Sequence, residues 1–174
     1  IRASERLPHL PPAGPAFCDR PVDLKIAFAS RRDNRRVQPD EPRLLAFSSP
    51  AGSSSPLLEV WPLPANGGYR LRFDSRIDFE VERSGQRLTV ARKPGTTADD
   101  VGAFLLGPVM GLVLRLRGLA CLHASAVAIE DQAIALMAPP GYGKSTLAAA
   151  FAAAGSPVLT DDILLLTEQE GCFT

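Results

Sequence analysis

Cysteine is scarce in this chain: three residues, Cys18, Cys121 and Cys172, among 174. They lie far apart and none forms a Cys-x-x-Cys pair, which argues against a disulfide framework and against a zinc site. Buried free thiols in a reducing compartment are expected instead. Net charge is also lacking, with 19 Lys and Arg against 19 Asp and Glu. A balanced chain exerts no global pull on nucleic acid or anionic lipid, so neither partner is expected. No long hydrophobic run is present. The longest, Val101 to Leu114, is interrupted by Gly and Pro, ends before Arg115 and Arg117, and is too short to span a bilayer. No signal peptide opens the chain, and Ile1 stands where an initiating Met would, which implies that the natural start lies upstream. A soluble, cytoplasmic protein is expected.

Proline is plentiful, at 16 residues where average use is roughly 5%. Much of it falls in the first 65 residues, which read as irregular with short strands at Lys25–Ser30, Leu44–Ser48 and Leu57–Leu63. The basic cluster Arg31-Arg32-Asp33-Asn34-Arg35-Arg36 reads as a solvated loop, and Ala51-Gly52-Ser53-Ser54-Ser55 as a flexible one. From Tyr69 to Val90 apolar and polar residues alternate, interrupted by the turn Ser84-Gly85, which predicts an antiparallel meander with one buried face. Thr97 with Asp100 three residues on is a capping box for a helix carrying Val101, Phe104, Leu105, Val109, Leu112, Val113 and Leu116 on one face. Pro108 should kink that helix and Gly118 end it. The domain boundary is placed near residue 96: a β-rich domain over 1–96, then an α/β domain over 97–174.

The chemistry concentrates in the second domain. A strand over 123–129, a turn at Glu130-Asp131 and an apolar strand over 133–137 lead into Ala138-Pro139-Pro140-Gly141-Tyr142-Gly143-Lys144-Ser145-Thr146 and an Ala-rich helix. This is the phosphate-binding pattern G-x-x-x-x-G-K-[ST], with Ala138 at the first glycine position. A polyphosphate needs several backbone N–H groups converging on it, hence glycines at the crowded positions of a tight loop followed by a helix N-terminus. Pro140, Gly141, Tyr142, Gly143, Lys144, Ser145 and Thr146 are the expected nucleotide contacts. Lys144 would place a charge on the β- and γ-phosphates, and the Ser145 hydroxyl would be a Mg²⁺ ligand. After the helix, a short strand over 157–160 runs straight into Asp161-Asp162. Carboxylates at a strand end beside such a loop serve a metal or a proton. His123 lies 21 residues before Lys144 and Asp162 lies 18 after it. If the strands carrying them flank the loop strand, they meet at one end of the sheet.

Taken together, Leu122-His123-Ala124-Ser125-Ala126-Val127, the loop, and Leu159-Thr160-Asp161-Asp162 resemble the catalytic domain of the HPr kinase/phosphorylase family. The resemblance is nearer to the HPr-kinase-like proteins of bacterial peptide-modification clusters, including lasso-peptide precursor kinases, and covers roughly residues 119–167. It implies an α/β P-loop kinase core of the HPr kinase/phosphoenolpyruvate carboxykinase type, preceded by a smaller β-rich N-terminal domain. It further implies transfer of the γ-phosphoryl group of ATP, with Mg²⁺, to a serine of a peptide or small protein, in a protein that is often a homo-oligomer. On that resemblance Asp162 is the base, Asp161 stands beside it, His123 is a catalytic partner, and Lys144 and Ser145 serve phosphate and metal. Thr146 departs from the family's usual Glu, and the family's later carboxylate and signature loop fall beyond Thr174, so the domain is expected to be incomplete and phosphorylase activity is not expected. The alternative is a module that binds nucleotide to hold or sense a peptide without transferring phosphate.

Overall fold

Alternation along the chain decides the architecture of the first half. The computed structural model describes residues 1–7, 23–29, 42–47, 56–64, 67–169 and 172–173. Cys18, the Arg31–Arg36 cluster and the Ala51–Ser55 loop lie outside those residues. Two compact units divide between Leu105 and Leu106.

In the first unit, seven strands form one sheet: β1 (Arg2–Ala3), β2 (Lys25–Phe28), β3 (Leu45–Phe47), β4 (Leu58–Leu63), β5 (Gly68–Phe73), β6 (Ile77–Val81) and β7 (Arg87–Arg92). Their order is β1-β2-β7-β6-β5-β4-β3, antiparallel throughout except for the parallel pairs β1–β2 and β2–β7. Ile77, Phe79 and Val81 point to one face of β6 and are buried, with Leu71, Phe73, Leu88 and Val90 of the neighbouring strands beside them. On the opposite face, the register sets Arg70 against Glu80 and Arg72 against Asp78. Arg72 grips Asp78 with two parallel bonds, Nε to Oδ1 at 2.7 Å and Nη2 to Oδ2 at 3.0 Å, and lies over the Trp61 ring at 5.2 Å. The Asp78 hydrogen bond raises the Arg72 guanidinium above its ordinary value against the opposing effect of partial burial. One face is therefore dry and the other laced by ion pairs, as the period of two requires.

Helix α1 (Ala98–Phe104) closes this unit. Thr97 accepts from the Asp100 N–H at 3.1 Å and the Asp100 carboxylate accepts from the Thr97 N–H at 2.8 Å, completing the capping box. The Phe104 ring stacks on Phe73 at 4.4 Å, and Val101 and Leu105 are fully buried. That packing moves the boundary from the expected residue 96 to 105, since the capped helix joins the sheet it follows. The short strands expected before residue 65 are present as β2, β3 and β4, and with β1 they extend the sheet on both edges.

Pro108 is absorbed rather than breaking the chain's path. Residues Leu105–Val109 form a π-helical turn, because proline offers no N–H and its ring excludes the carbonyl four residues back. In the second unit α2 (Met110–Leu116) follows. It ends with Gly118 at φ 76°, where Leu119 N–H bonds Leu114 C=O and Gly118 N–H bonds Arg115 C=O, each at 3.0 Å. Next come β8 (Ala120–His123), β9 (Ser125–Ile129), β10 (Gln132–Leu136), α3 (Lys144–Ala153), β11 (Val158–Thr160), β12 (Ile163–Leu166), β13 (Glu168–Gln169) and β14 (Cys172–Phe173). The strands form three small antiparallel sheets, β10-β9-β11, β12-β8 and β13-β14. The fold is mixed α/β, with a large sheet and few helices. Cys121 is buried and free, as expected of a thiol with no partner spacing. Among the described residues, no helix is long and apolar enough to cross a membrane.

Two outcomes test this packing. Phe79→Ala should lower stability by about 3–5 kcal/mol in urea denaturation followed by Trp61 fluorescence, because a fully buried ring leaves a cavity. The Thr97 bonds hold the Asp100 carboxyl below its ordinary value of 3.8. Its contribution is then present above that value and lost as pH falls through the folded value. Asp100→Asn should therefore be less stable than the parent chain at neutral pH, and the gap should close on acidification.

Candidate functional site

The strand expected over 123–129 is two strands. The chain breaks at Ala124, so β8 pairs with β12 in one sheet and β9 pairs with β10 and β11 in another. Among the described residues, the loop strand β10 pairs with β9 alone rather than being flanked on both sides. Its apolar residues are correspondingly exposed, Ile134 at 40%. Both partners of β9 run antiparallel to it, so β10 and β11 are parallel with β9 between them. Register puts Leu136 opposite Ser125 and Thr160 opposite Ala126. The glycine loop after β10, the aspartates after β11 and the start of β9 consequently share one end of the sheet. The β8–β12 ladder adds His123, paired with Ile163, to the same place.

The loop itself turns on two glycines. Gly141 and Gly143 have φ 83° and 81°, and neither position would crowd an added Cβ. What glycine supplies there is backbone freedom rather than space. Alternating backbone hand is how successive N–H groups come to face one concavity. Ala138, at the first glycine position of the motif, lies outside the positive-φ region and tolerates its methyl group. Gly143 is the N-cap of α3 and brings no side chain to it, so the first amides of that helix are the ones a bound anion would satisfy. Lys144 Nζ donates to the carbonyls of Ala138 at 3.0 Å and Pro139 at 3.5 Å, which lays the ammonium along the loop it follows. Tyr142 is 76% exposed, and Pro140 and Thr146 are exposed as well.

The two aspartates differ. The Asp161 Oδ1 accepts from Ser145 Oγ at 3.0 Å and also from Ser125 Oγ. Asp162 sits at φ 85°, a conformation costly for a residue with a side chain, in a bend closed by the Thr160 hydroxyl donating to Ile163 C=O at 2.8 Å. Among the described residues, the Asp162 carboxylate has no hydrogen-bond or ion-pair partner. A Cβ at Gly107 would stand 4.0 Å from its Oδ2. His123 meets Asp162 through the backbone: its Nδ1 is 3.0 Å from the Asp162 carbonyl, which also accepts from Ala124 N–H at 3.2 Å. A carbonyl only accepts, so Nδ1 carries the proton and Nε2 is left as the acceptor. His123 therefore meets Asp162 through an imidazole–carbonyl contact rather than through its carboxylate. Beside His123 opens a cleft of about 280 Å³, lined by Gly111, Leu112, Cys121, Leu122 and Ile163 with Arg115.

Of the expected residues, Ser145 meets Asp161 by a hydrogen bond and His123 meets the Asp162 carbonyl, while Lys144 bonds carbonyls of its own loop. Sequence reasoning passed over Ser125 as a site residue. Its signal was a hydroxyl in an otherwise apolar strand, which burial obliges to find a partner. Mg²⁺ takes one or two hard oxygens from protein and the rest from water and phosphate. Ser145 and Asp161, adjacent and exposed, form such a pair and fit that demand. Among the described residues, no group of three or more His, Cys, Asp or Glu could hold a metal ion. No protein-family model, curated protein or solved structure matches the chain.

The loop geometry has a direct test. Gly143→Ala should cost about 1–2 kcal/mol through backbone strain alone. Gly143→Asn, which visits the left-handed region more readily, should recover part of that loss in thermal unfolding.

Proposed function

We propose that this chain is an ATP-dependent kinase that transfers the γ-phosphoryl group to a serine of a peptide or small protein, with a P-loop kinase core of the HPr-kinase-like kind. The observation that supports the proposal is that Asp161-Asp162, at the crossing between two small sheets, meets Ser145 at the start of α3 through Asp161 and His123 of β8 through the Asp162 carbonyl. Nucleotide binding alone gives no use for the second carboxylate or the imidazole.

The residues divide the work. The amides of the Gly141–Gly143 loop and of the α3 N-terminus bind phosphate oxygens, and Lys144 leaves its loop carbonyls to pair with them. Ser145 and Asp161 would hold Mg²⁺, which when bound neutralises charge on the β- and γ-phosphates. Asp162, whose carboxylate meets no competing donor among the described residues, takes the proton of the acceptor serine as its Oγ bonds to the γ-phosphorus. The bond from that phosphorus to the β–γ bridging oxygen breaks and ADP leaves with the electron pair. His123 fixes the Asp162 backbone through its carbonyl and so aims the carboxylate, while Gly107 leaves room before it. The apolar cleft on the His123 side suits a side chain of the acceptor next to its serine.

One observation favours the alternative, a nucleotide-dependent peptide-binding module: the imidazole holds backbone rather than the reacting carboxylate. The two readings separate on one pair of variants. Asp162→Asn should lower phosphopeptide formation by about 10²–10⁴-fold, read by mass spectrometry, with ATP binding retained. Lys144→Ala should lose ATP binding itself. Transfer that persists undiminished in Asp162→Asn would remove Asp162 from the mechanism. ATP binding with no phosphorylated product from any peptide tried, in the parent chain too, would favour the module.

A further inference from the structure

Among the described residues of the second unit, Ser125 is the one polar side chain buried completely, at 0% exposure, beside Ala124, Ala126 and Val127, which are equally buried. A hydroxyl in such surroundings costs stability unless bonded, and at this position alanine would pack with no polar atom to satisfy. Its one partner is Asp161 Oδ1, the same oxygen that Ser145 reaches. The carboxylate of Asp161 is exposed and lies just past the end of β11, where a side chain is otherwise free to rotate. Two donors on a single oxygen fix the plane of that carboxylate and leave Oδ2 without either serine. The donors also come from different elements: Ser125 from the buried start of β9, Ser145 from the first turn of α3.

We infer that Ser125 is a positioning residue for the metal site, anchoring Asp161 to the buried strand so that its carboxylate and the Ser145 hydroxyl present oxygen to Mg²⁺ in a fixed arrangement. The inference rests on the proposed nucleotide and Mg²⁺ site and adds to it a residue that would touch neither ligand. Outer groups of this kind are worth roughly 10–100-fold in metal affinity, because they remove the freedom that the ligand would otherwise lose on binding.

The test is a Mg²⁺ titration of ATP binding by the full chain, with Ser125→Ala and Ser125→Cys beside the parent. Cysteine keeps the volume of serine and supplies only a weak donor, so it serves where alanine fails to fold. The parent should bind ATP more tightly as Mg²⁺ rises. Both variants should need about tenfold more Mg²⁺ to reach half of that gain. Their ATP affinity without metal should stay within about twofold of the parent. Thermal unfolding of the metal-free chains is measured alongside. A lowered melting temperature with an unchanged Mg²⁺ midpoint would mean that Ser125 only fills the core, and would overturn the inference. A parent chain whose ATP binding ignores Mg²⁺ would overturn the Ser145–Asp161 metal site first and the role of Ser125 with it. Normal Mg²⁺ response in the parent and in both variants would leave the metal site standing and refute the role of Ser125 alone.

Discussion

The break at Ala124 is the constraint from which the second unit's chemistry follows. Two chain segments change sheets at the same point. Going from β8 to β9 the chain passes Ala124, and going from β11 to β12 it passes Asp161-Asp162. The Ala124 N–H to Asp162 C=O bond ties the two crossings together. Because pairing resumes on either side, with Thr160 opposite Ala126 and Ile163 opposite His123, the aspartates have little choice but to face Ser125 and His123. The cost is visible in Asp162, forced to φ 85°. Strain of that kind persists where surrounding pairing over-determines it, and it marks sites where a side chain must be aimed.

The first unit shows the opposite economy. Its central strands carry their apolar residues on one face and their charges on the other, and the two guanidinium groups of β5 meet carboxylates of β6 directly across the ladder. Arg70 and Arg72 keep long side chains flat against the sheet by pairing with Glu80 and Asp78. The Trp61 ring under Arg72 and the Phe28 ring under Arg92 cover further apolar area with the same side chains. The positive φ of Asp74 and Ser75 falls in the tight turn between β5 and β6 rather than at a crossing between sheets. The contrast between a satisfied sheet and a bent, carboxylate-bearing crossover separates a scaffold from a site.

How much of this was legible depends on whether the signal was local. The alternation from Tyr69 to Val90 gave the meander, since a period of two has one structural meaning. Thr97 with Asp100 gave a helix start, since the box is made by four consecutive residues. Gly118 gave a helix end, realised at positive φ with the paired return bonds of a Schellman turn. The loop from Ala138 to Ser145 was legible for the same reason. Strand order was not, because which of two antiparallel partners β9 accepts on each side depends on contacts distant in sequence. The split at Ala124 was invisible too, since an alanine in an apolar run carries no breaking signal. The fate of Pro108 was ambiguous by nature: the same missing N–H allows a kink, a break or the π-helical turn that forms. Ser125 could have been flagged by asking where its hydroxyl would go, a question that burial poses and composition does not.

The site's oxygen and nitrogen partners also fix an order of events for the proposed transfer. Lys144 bonds carbonyls of its own loop, and Ser145 bonds Asp161, so both side chains are already placed before any phosphate arrives. In the proposed complex the lysine would exchange bonds to neutral carbonyls for ion pairs with phosphate oxygens of opposite charge. That exchange favours the nucleotide without reorganising the loop. Asp162 takes no part in this first stage: its backbone is held by Ala124 and His123 while its carboxylate stays uncommitted. A base hydrogen-bonded to loop amides or to a lysine would be a weaker proton acceptor, since donors stabilise the charged form. Holding the residue by its main chain and leaving its side chain free is thus the arrangement that serves proton removal. It is also why an imidazole on the carbonyl, rather than on the carboxylate, is compatible with a transferring enzyme.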